Sequence, residues 1–207
     1  LIRQWINGKI LFNFENNWNL GDYVPRTFIS IDVNNEVIES LKPVQEDLKE
    51  TGADLKLVNP QNIHMTLRFL GDVSESRVEV VKKAIDGITH FDPFKINLEG
   101  MGVFPEPSYI RVIWAGVSEG SDKLCDVKNS LESNLSNNGF SKDEKDFTPH
   151  FTIARVKSGK AKDQLNAIVE DRSDEFFGTV DVDSIELKKS ELTSEGPIYS
   201  TISEFKF

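Results

Sequence analysis

The chain has 207 residues, with 24 Lys and Arg against 34 Asp and Glu for a formal charge of −10. It is long enough to bury a sizeable core and too acidic to grip nucleic acid through a broad basic face. A single cysteine, Cys125, excludes an intramolecular disulfide framework and suits a reducing, cytoplasmic setting, and no apolar run reaches the roughly 18 residues of a membrane span.

Residues 1–25 stand apart from the rest of the chain. They open on Leu1, hold five Asn, and alternate polar residues with Trp5, Phe12, Phe14, Trp18 and Tyr23 at no helical period. Short strands fit around residues 10–14. The stretch reads as a leader, native or not, or a flexible arm, or as an arm whose aromatics dock on a sheet edge or a neighbouring molecule. Residues 26–207 are expected to form one bilobal domain.

From residue 27 the pattern turns regular. Residues 27–33 read as a strand with Ile29, Ile31 and Val33 on one face and Phe28, Ser30 and Asp32 on the other, a mixed face suited to a cleft wall. Asn34 or Asn35 can cap a helix that carries Val37, Ile38, Leu41, Val44 and Leu48 at helical spacing, bends at Pro43 and stops at Gly52. A short strand over 54–58 and a turn at Asn59-Pro60 precede the strand His64-Met65-Thr66-Leu67-Arg68-Phe69, closed by Gly71-Asp72. A second helix from Asp72 or Ser74 buries Val78, Val81, Ile85 and Ile88 and leaves His90 at the surface.

Strands over 94–103 and 109–117 come next, joined by Pro105-Glu106-Pro107. On the second of these, Tyr109, Arg111 and Ile113 share one face, while Ile110, Val112 and Trp114 share an apolar face expected to be core. A third helix, capped at Ser121, carries Leu124, Val127, Leu131 and Leu135 and ends at Asn137-Asn138-Gly139. A charged loop over 141–146 leads into His150-Phe151-Thr152-Ile153-Ala154-Arg155. A helix over about 160–169 and strands near 177–187 and 198–207 complete the chain.

Two of these strands echo each other. Both read His, apolar, Thr, apolar, so each His shares a strand face with the Thr two places on, while Met65, Leu67, Phe151 and Ile153 turn to a core. Each strand therefore offers one imidazole and one hydroxyl to the same space. With only three His, no Cys pair and Thr as the partner two places along, the pattern is a poor zinc site. There is also no Gly-rich strand-to-helix loop for a phosphate, and several strands are joined by turns too short for parallel neighbours. The fold class expected is α+β: two pseudo-symmetric lobes with largely antiparallel sheets facing a central cleft, helices on the outside.

The strings Arg26-Thr27-Phe28-Ile29-Ser30-Ile31-Asp32, His64-Met65-Thr66-Leu67-Arg68-Phe69-Leu70-Gly71, Arg111-Val112-Ile113-Trp114-Ala115-Gly116-Val117, His150-Phe151-Thr152-Ile153-Ala154-Arg155-Val156 and Glu186-Leu187-Lys188-Lys189-Ser190 through Gly196-Pro197-Ile198-Tyr199 carry a family likeness. Together they resemble the RNA 2',3'-cyclic phosphodiesterases, also named 2'-5' RNA ligases, of the two-histidine phosphoesterase superfamily, and the archaeal members above all. The likeness spans residues 26–207. It implies metal-independent hydrolysis, without cofactor, of a terminal 2',3'-cyclic phosphate to a 2'-phosphomonoester, on RNA 3' ends or nucleotides. By position His64 matches the family's proton donor and His150 its proton acceptor. The same site could join halves of transfer RNA by a 2'-5' bond, and a module that binds nucleotide or RNA ends without turnover is the alternative from another class. A monomer is expected.

The chemistry suits these residue types. In-line opening of a cyclic phosphodiester needs a base beside the incoming water and an acid beside the departing oxygen, and two imidazoles supply both near neutral pH. Thr66 and Thr152 can donate to the non-bridging phosphate oxygens. Arg68 shares the face of His64 and could reach phosphate, whereas Arg155 falls on the face opposite His150 and is expected at the lobe interface or on a distal phosphate. Tyr109, Arg111 and Phe28 are expected in the cleft as charge and stacking surface for a nucleotide.

Overall fold

The computed structural model describes residues 3–6, 9–14, 17–19, 26–194 and 196–207, the first three stretches by their backbone alone. There β1 (Arg3–Ile6), β2 (Lys9–Phe14) and β3 (Asn17–Asn19) pair as an antiparallel meander. The short strand expected around residues 10–14 is therefore present, while the expected docking of the five aromatics falls outside what is described. The remaining elements are β4 (Arg26–Asp32), α1 (Asn35–Glu50), β5 (Leu55–Leu57), β6 (His64–Asp72), α2 (Glu75–Asp86), β7 (Phe94–Glu106), β8 (Tyr109–Val117), α3 (Ser121–Asn137), β9 (His150–Val156), α4 (Lys162–Asp171), β10 (Phe176–Val182), β11 (Ser184–Leu192) and β12 (Pro197–Lys206).

The fold is α+β, with the strands after β3 arranged in two antiparallel sheets. One runs β12-β11-β4-β6 and the other β10-β7-β8-β9-β5, so one His strand belongs to each sheet. Two strands were expected after α4. There are three, because the stretch expected as one strand breaks at Asp183: β10 joins the His150 sheet, and β11 crosses to the His64 sheet. Strand β4 is interior, flanked by β11 and β6, and residues 27–31 are buried on both faces rather than forming an open wall.

The lobes are not consecutive stretches of chain. Helix α1 comes after β4 of the His64 sheet but packs on β5, β9 and β10 of the other; α3 comes after β8 of the His150 sheet but packs against α2 and reaches β6. Each lobe thus takes the helix that the other's strand launches. Local chemistry fixes these helices where expected: the Asn34 side chain accepts from the Val37 N–H at 2.9 Å, α1 runs unbroken through Pro43, and Gly52 lies just beyond its end at φ +65°. At α3 the residue before the helix is Gly120 at φ +79°, and Ser121 is the first helical residue instead of the cap. The apolar faces of both lobes merge into one buried core that includes Leu41, Met65, Leu67, Leu131, Ile113, Phe151 and Ile153. Among the described residues no helix is long and apolar enough to cross a membrane.

Candidate active site

Strands β6 and β9 lie side by side where the sheets meet, and His64, Thr66, His150 and Thr152 border one cleft of about 1750 Å³. The two strands share more than a motif. In β6 the pairing with β4 slips between Thr66 and Arg68, leaving Leu67 as an extra residue; in β9 the pairing with β8 slips between Thr152 and Ala154, leaving Ile153 as the extra one. A β-bulge therefore sits three residues past each histidine. Burial matches it: half-buried His, buried, half-buried Thr, two buried in succession, then an exposed residue, identically in both strands. The bulge shifts the alternation by one, sending position +4 into the core and +5 into the cleft.

This shift corrects two expectations. Arg155, at +5, lines the cleft rather than facing away from His150. Its counterpart Phe69 is 66% exposed in the same cleft. Arg68, at +4, is buried, its guanidinium 3.5 Å from Glu132 and 3.2 Å from Asp143, with a further bond to the Ser141 carbonyl; it borders the cleft but is committed to an ion cluster. The pairing of β8 with β9, Gly116 opposite His150 and Trp114 opposite Thr152, decides which face of β8 meets the cleft. Val112 lines it and half-buried Trp114 lies 6.0 Å from the His150 ring, whereas Ile113 is core. Tyr109 and Arg111 lie at the exposed strand end, the guanidinium stacked over the phenol and bonded to the Lys157 carbonyl, outside the cleft lining. Phe28 is only 2% exposed and stacks on His64 with ring centres 4.9 Å apart, so it serves the imidazole and leaves no face for a nucleobase.

Sequence reasoning missed the aromatic walls. Tyr199 of β12 meets the His64 ring edge-on at 5.2 Å, and Phe104 of β7 meets the His150 ring edge-on at 4.9 Å. Tyr199 stands in one of the strings that carry the family likeness, which was the available signal; nothing in the sequence singles out Phe104.

The rings are held alike. Nδ1 of His64 lies 2.7 Å from the carbonyl of Asn62, and Nδ1 of His150 lies 2.7 Å from the carbonyl of Thr148. A carbonyl only accepts, so each Nδ1 carries a proton and each neutral ring keeps its lone pair on Nε2. Nε2 of His64 sits 3.1 Å from the Thr66 hydroxyl. Burial pulls both imidazoles below the usual histidine range. For His64 the Asn62 carbonyl opposes that, Lys188 adds to it, Asp32 opposes it and Arg155 adds to it; for His150 the Thr148 carbonyl opposes and Arg155 adds. Burial raises the Tyr199 phenol, with Arg155 opposing. One guanidinium is thus felt by both histidines and the tyrosine. Behind His64, Lys188 pairs with Asp32 and lies 3.7 Å from Glu186, which accepts from the Thr201 hydroxyl at 2.5 Å. His90, the third histidine, is exposed beside Phe91. Among the described residues no three His, Cys, Asp or Glu are grouped to hold a metal ion.

Comparison with known proteins gives a consistent picture. A family model described as the AKAP7 2'5' RNA ligase-like domain matches residues 25–207. A protein of Methanothermobacter thermautotrophicus named RNA 2',3'-cyclic phosphodiesterase is 36% identical over 182 residues, covering 87% of this chain and 98% of that one. One of the same name from Aquifex aeolicus is 43% identical over 173 residues, covering 83% and 89%. In fold, the crystal structure of a Thermus thermophilus protein superposes with a TM-score of 0.74 at 24% identity, covering 87% and 97%, and E. coli LigT complexed with 3'-AMP with 0.72 at 22%, covering 89% and 98%.

Proposed function

The chain belongs to the family of 2'5' RNA ligase-like domains that includes the RNA 2',3'-cyclic phosphodiesterases, and from that premise we propose that it hydrolyses 2',3'-cyclic phosphate ends of RNA or nucleotides to 2'-phosphomonoesters. The observation that carries this reading is the pair of identically held imidazoles, Nε2 lone pairs free of backbone, bordering one cleft. Water attacks phosphorus as the bond to the 3'-oxygen breaks. His150 takes the proton of the water on Nε2, and His64, charged, gives its Nε2 proton to the departing oxygen. The Thr66 hydroxyl, 3.1 Å from Nε2 of His64, donates to the neutral ring and accepts from the charged one, so it can orient the ring in both states. Thr66, Thr152 and the Arg155 guanidinium meet the non-bridging oxygens, where charge gathers. Phe69, exposed beside Phe28, offers the nucleobase a stacking face. A reducing, cytoplasmic setting is part of this reading, and a chain with a single cysteine suits it.

Incubation with a 2',3'-cyclic nucleotide in the presence of chelator, across a range of pH, tests the reading. The 2'-phosphomonoester is the expected product; none at any pH would leave a binding module. The working form carries one proton shared over two histidines whose ordinary pKa is about 6.5. Both are lowered in the free protein, so kcat/KM is expected to peak below about pH 6.5 and to fall roughly tenfold per unit on the alkaline side as the acid is lost. Bound phosphate favours imidazolium, so the alkaline limb of kcat lies at higher pH than that of kcat/KM. A flat profile from about pH 5 to 8 would contradict the paired assignment. Thr66→Ala and Thr152→Ala are each expected to lower kcat by about 10–100-fold, with little change in the pH profile.

A further inference from the structure

The two bulges leave the same need at the same place in each strand. Leu67 and Ile153 have no register partner in the ladder, and both are buried, so their carbonyls need hydrogen-bond donors. In both cases a buried polar side chain arrives. Lys128 of α3 donates from Nζ to the Leu67 carbonyl at 2.8 Å. Gln45 of α1 donates from Nε2 to the Ile153 carbonyl at 3.2 Å and to the Val58 carbonyl at 2.7 Å, while the Val58 N–H completes Ile153 at 2.9 Å. Each side chain belongs to a residue only 5% exposed. Polar groups are rarely buried that deeply unless hydrogen-bonded.

The placement is reciprocal. Helix α1 is launched from the His64 sheet and serves the His150 strand; α3 is launched from the His150 sheet and serves the His64 strand. We infer that Gln45 and Lys128 are positioning residues for the two histidines, each holding the bulge that lets the His, the Thr two places on and the residue five places on share the cleft face. The inference rests on reading this cleft as the site of hydrolysis. Without Lys128 the Leu67 carbonyl loses its side-chain donor; without Gln45 the Ile153 carbonyl keeps the Val58 N–H but loses its tie to α1. In each case the bulge slackens and the ring three residues upstream shifts against the partner strand. Misplacement of a reacting group by about 1 Å costs on the order of 100-fold in rate.

The test compares Gln45→Met and Lys128→Met with the wild type in the full chain, by imidazole nitrogen and proton resonances of the three histidines and by steady-state kinetics on a 2',3'-cyclic nucleotide. Gln45→Met is expected to lower kcat about 10–100-fold with KM changed less than about threefold. It is expected to move the His150 ring resonances, the Nδ1 proton held by Thr148 included, and to leave those of His64 and His90 in place. Lys128→Met is expected to do the reverse, moving His64 and sparing His150. Equal displacement of both rings by either change, or rings and kcat both unmoved, overturns the inference. Lys128 also pairs with Glu132 and Asp143, so if that variant does not fold the Gln45 arm decides alone. The ring spectra need no substrate: a wild-type protein without turnover would refute the hydrolase reading, while ring-specific displacement would still judge the positioning.

Discussion

Replacing His64 or His150 with alanine is expected to lower turnover of a 2',3'-cyclic nucleotide by about 10²–10⁴-fold, while affinity for a 2'-phosphomonoester changes little. In the proposed mechanism both rings act on one phosphorus centre, so either loss stalls the same step. The double variant should fall little below the worse single one, because groups that work as a unit are not additive. Binding is expected to survive because the proposed contacts to the anion, Thr66, Thr152 and Arg155, remain in both variants. The two variants should differ in pH dependence. His150→Ala removes the base and with it the acid limb, leaving a rate that falls as His64 loses its proton; His64→Ala removes the acid and leaves the opposite limb. Rates measured across pH, with His90→Ala as a control on the exposed third histidine, check this. Wild-type turnover in the double variant would mean the chemistry lies elsewhere.

The parts of this site that sequence makes legible are those set by local pattern. The repeated His-x-Thr, with apolar residues between, specifies two half-buried strands with imidazole and hydroxyl on one face, and both strands are found so. Helical spacing, Asn34 and Gly52 place α1 to within a residue or two. What alternation alone cannot give is a change of phase. Leu67-Arg68-Phe69 and Ile153-Ala154-Arg155 read as regular strand, yet in each the register slips, and the slip sends Arg155 to the cleft face and Arg68 into a buried ion cluster; which face of β8 meets His150 is set by its pairing with β9, which a single strand also cannot show. The cause of the slip is long-range: the donors that hold the bulges come from helices far along the chain, and a single strand carries no trace of them. The break at Asp183 is hidden for the same reason, since both halves of 176–192 have strand character and only the sheet each one joins separates them.

Glu132→Leu is expected to destabilise the protein by about 3–5 kcal/mol, measured by denaturant unfolding at neutral pH. Glu132 completes a buried cluster in which Arg68 and Lys128 face Glu132 and Asp143; Lys128 Nζ lies 2.7 Å from Glu132 and 3.5 Å from Asp143. The cluster joins β6 to α3 and to the loop that carries the chain into β9, where Glu132 also accepts from the Asp143 N–H at 3.2 Å. Two cations against two carboxylates are balanced. Removal of Glu132 leaves two buried cations on one carboxylate, and the cost is that of an unpaired buried charge, well above the value of an exposed ion pair. Asp143 gives the cluster a pH signature: burial alone would raise its carboxyl, but the Lys145 N–H, Lys128 and Arg68 outweigh burial and hold it below the usual aspartate range. A carboxyl lowered by folding contributes stability that is present above its unfolded pKa of about 3.9 and lost as pH falls through the lower folded value. Wild-type stability should therefore decline on the acid side, and Asp143→Asn should decline less steeply there. A loss below about 1 kcal/mol for Glu132→Leu would show that the cluster behaves as a solvated surface network and does not tie the second histidine's loop to the first histidine's strand.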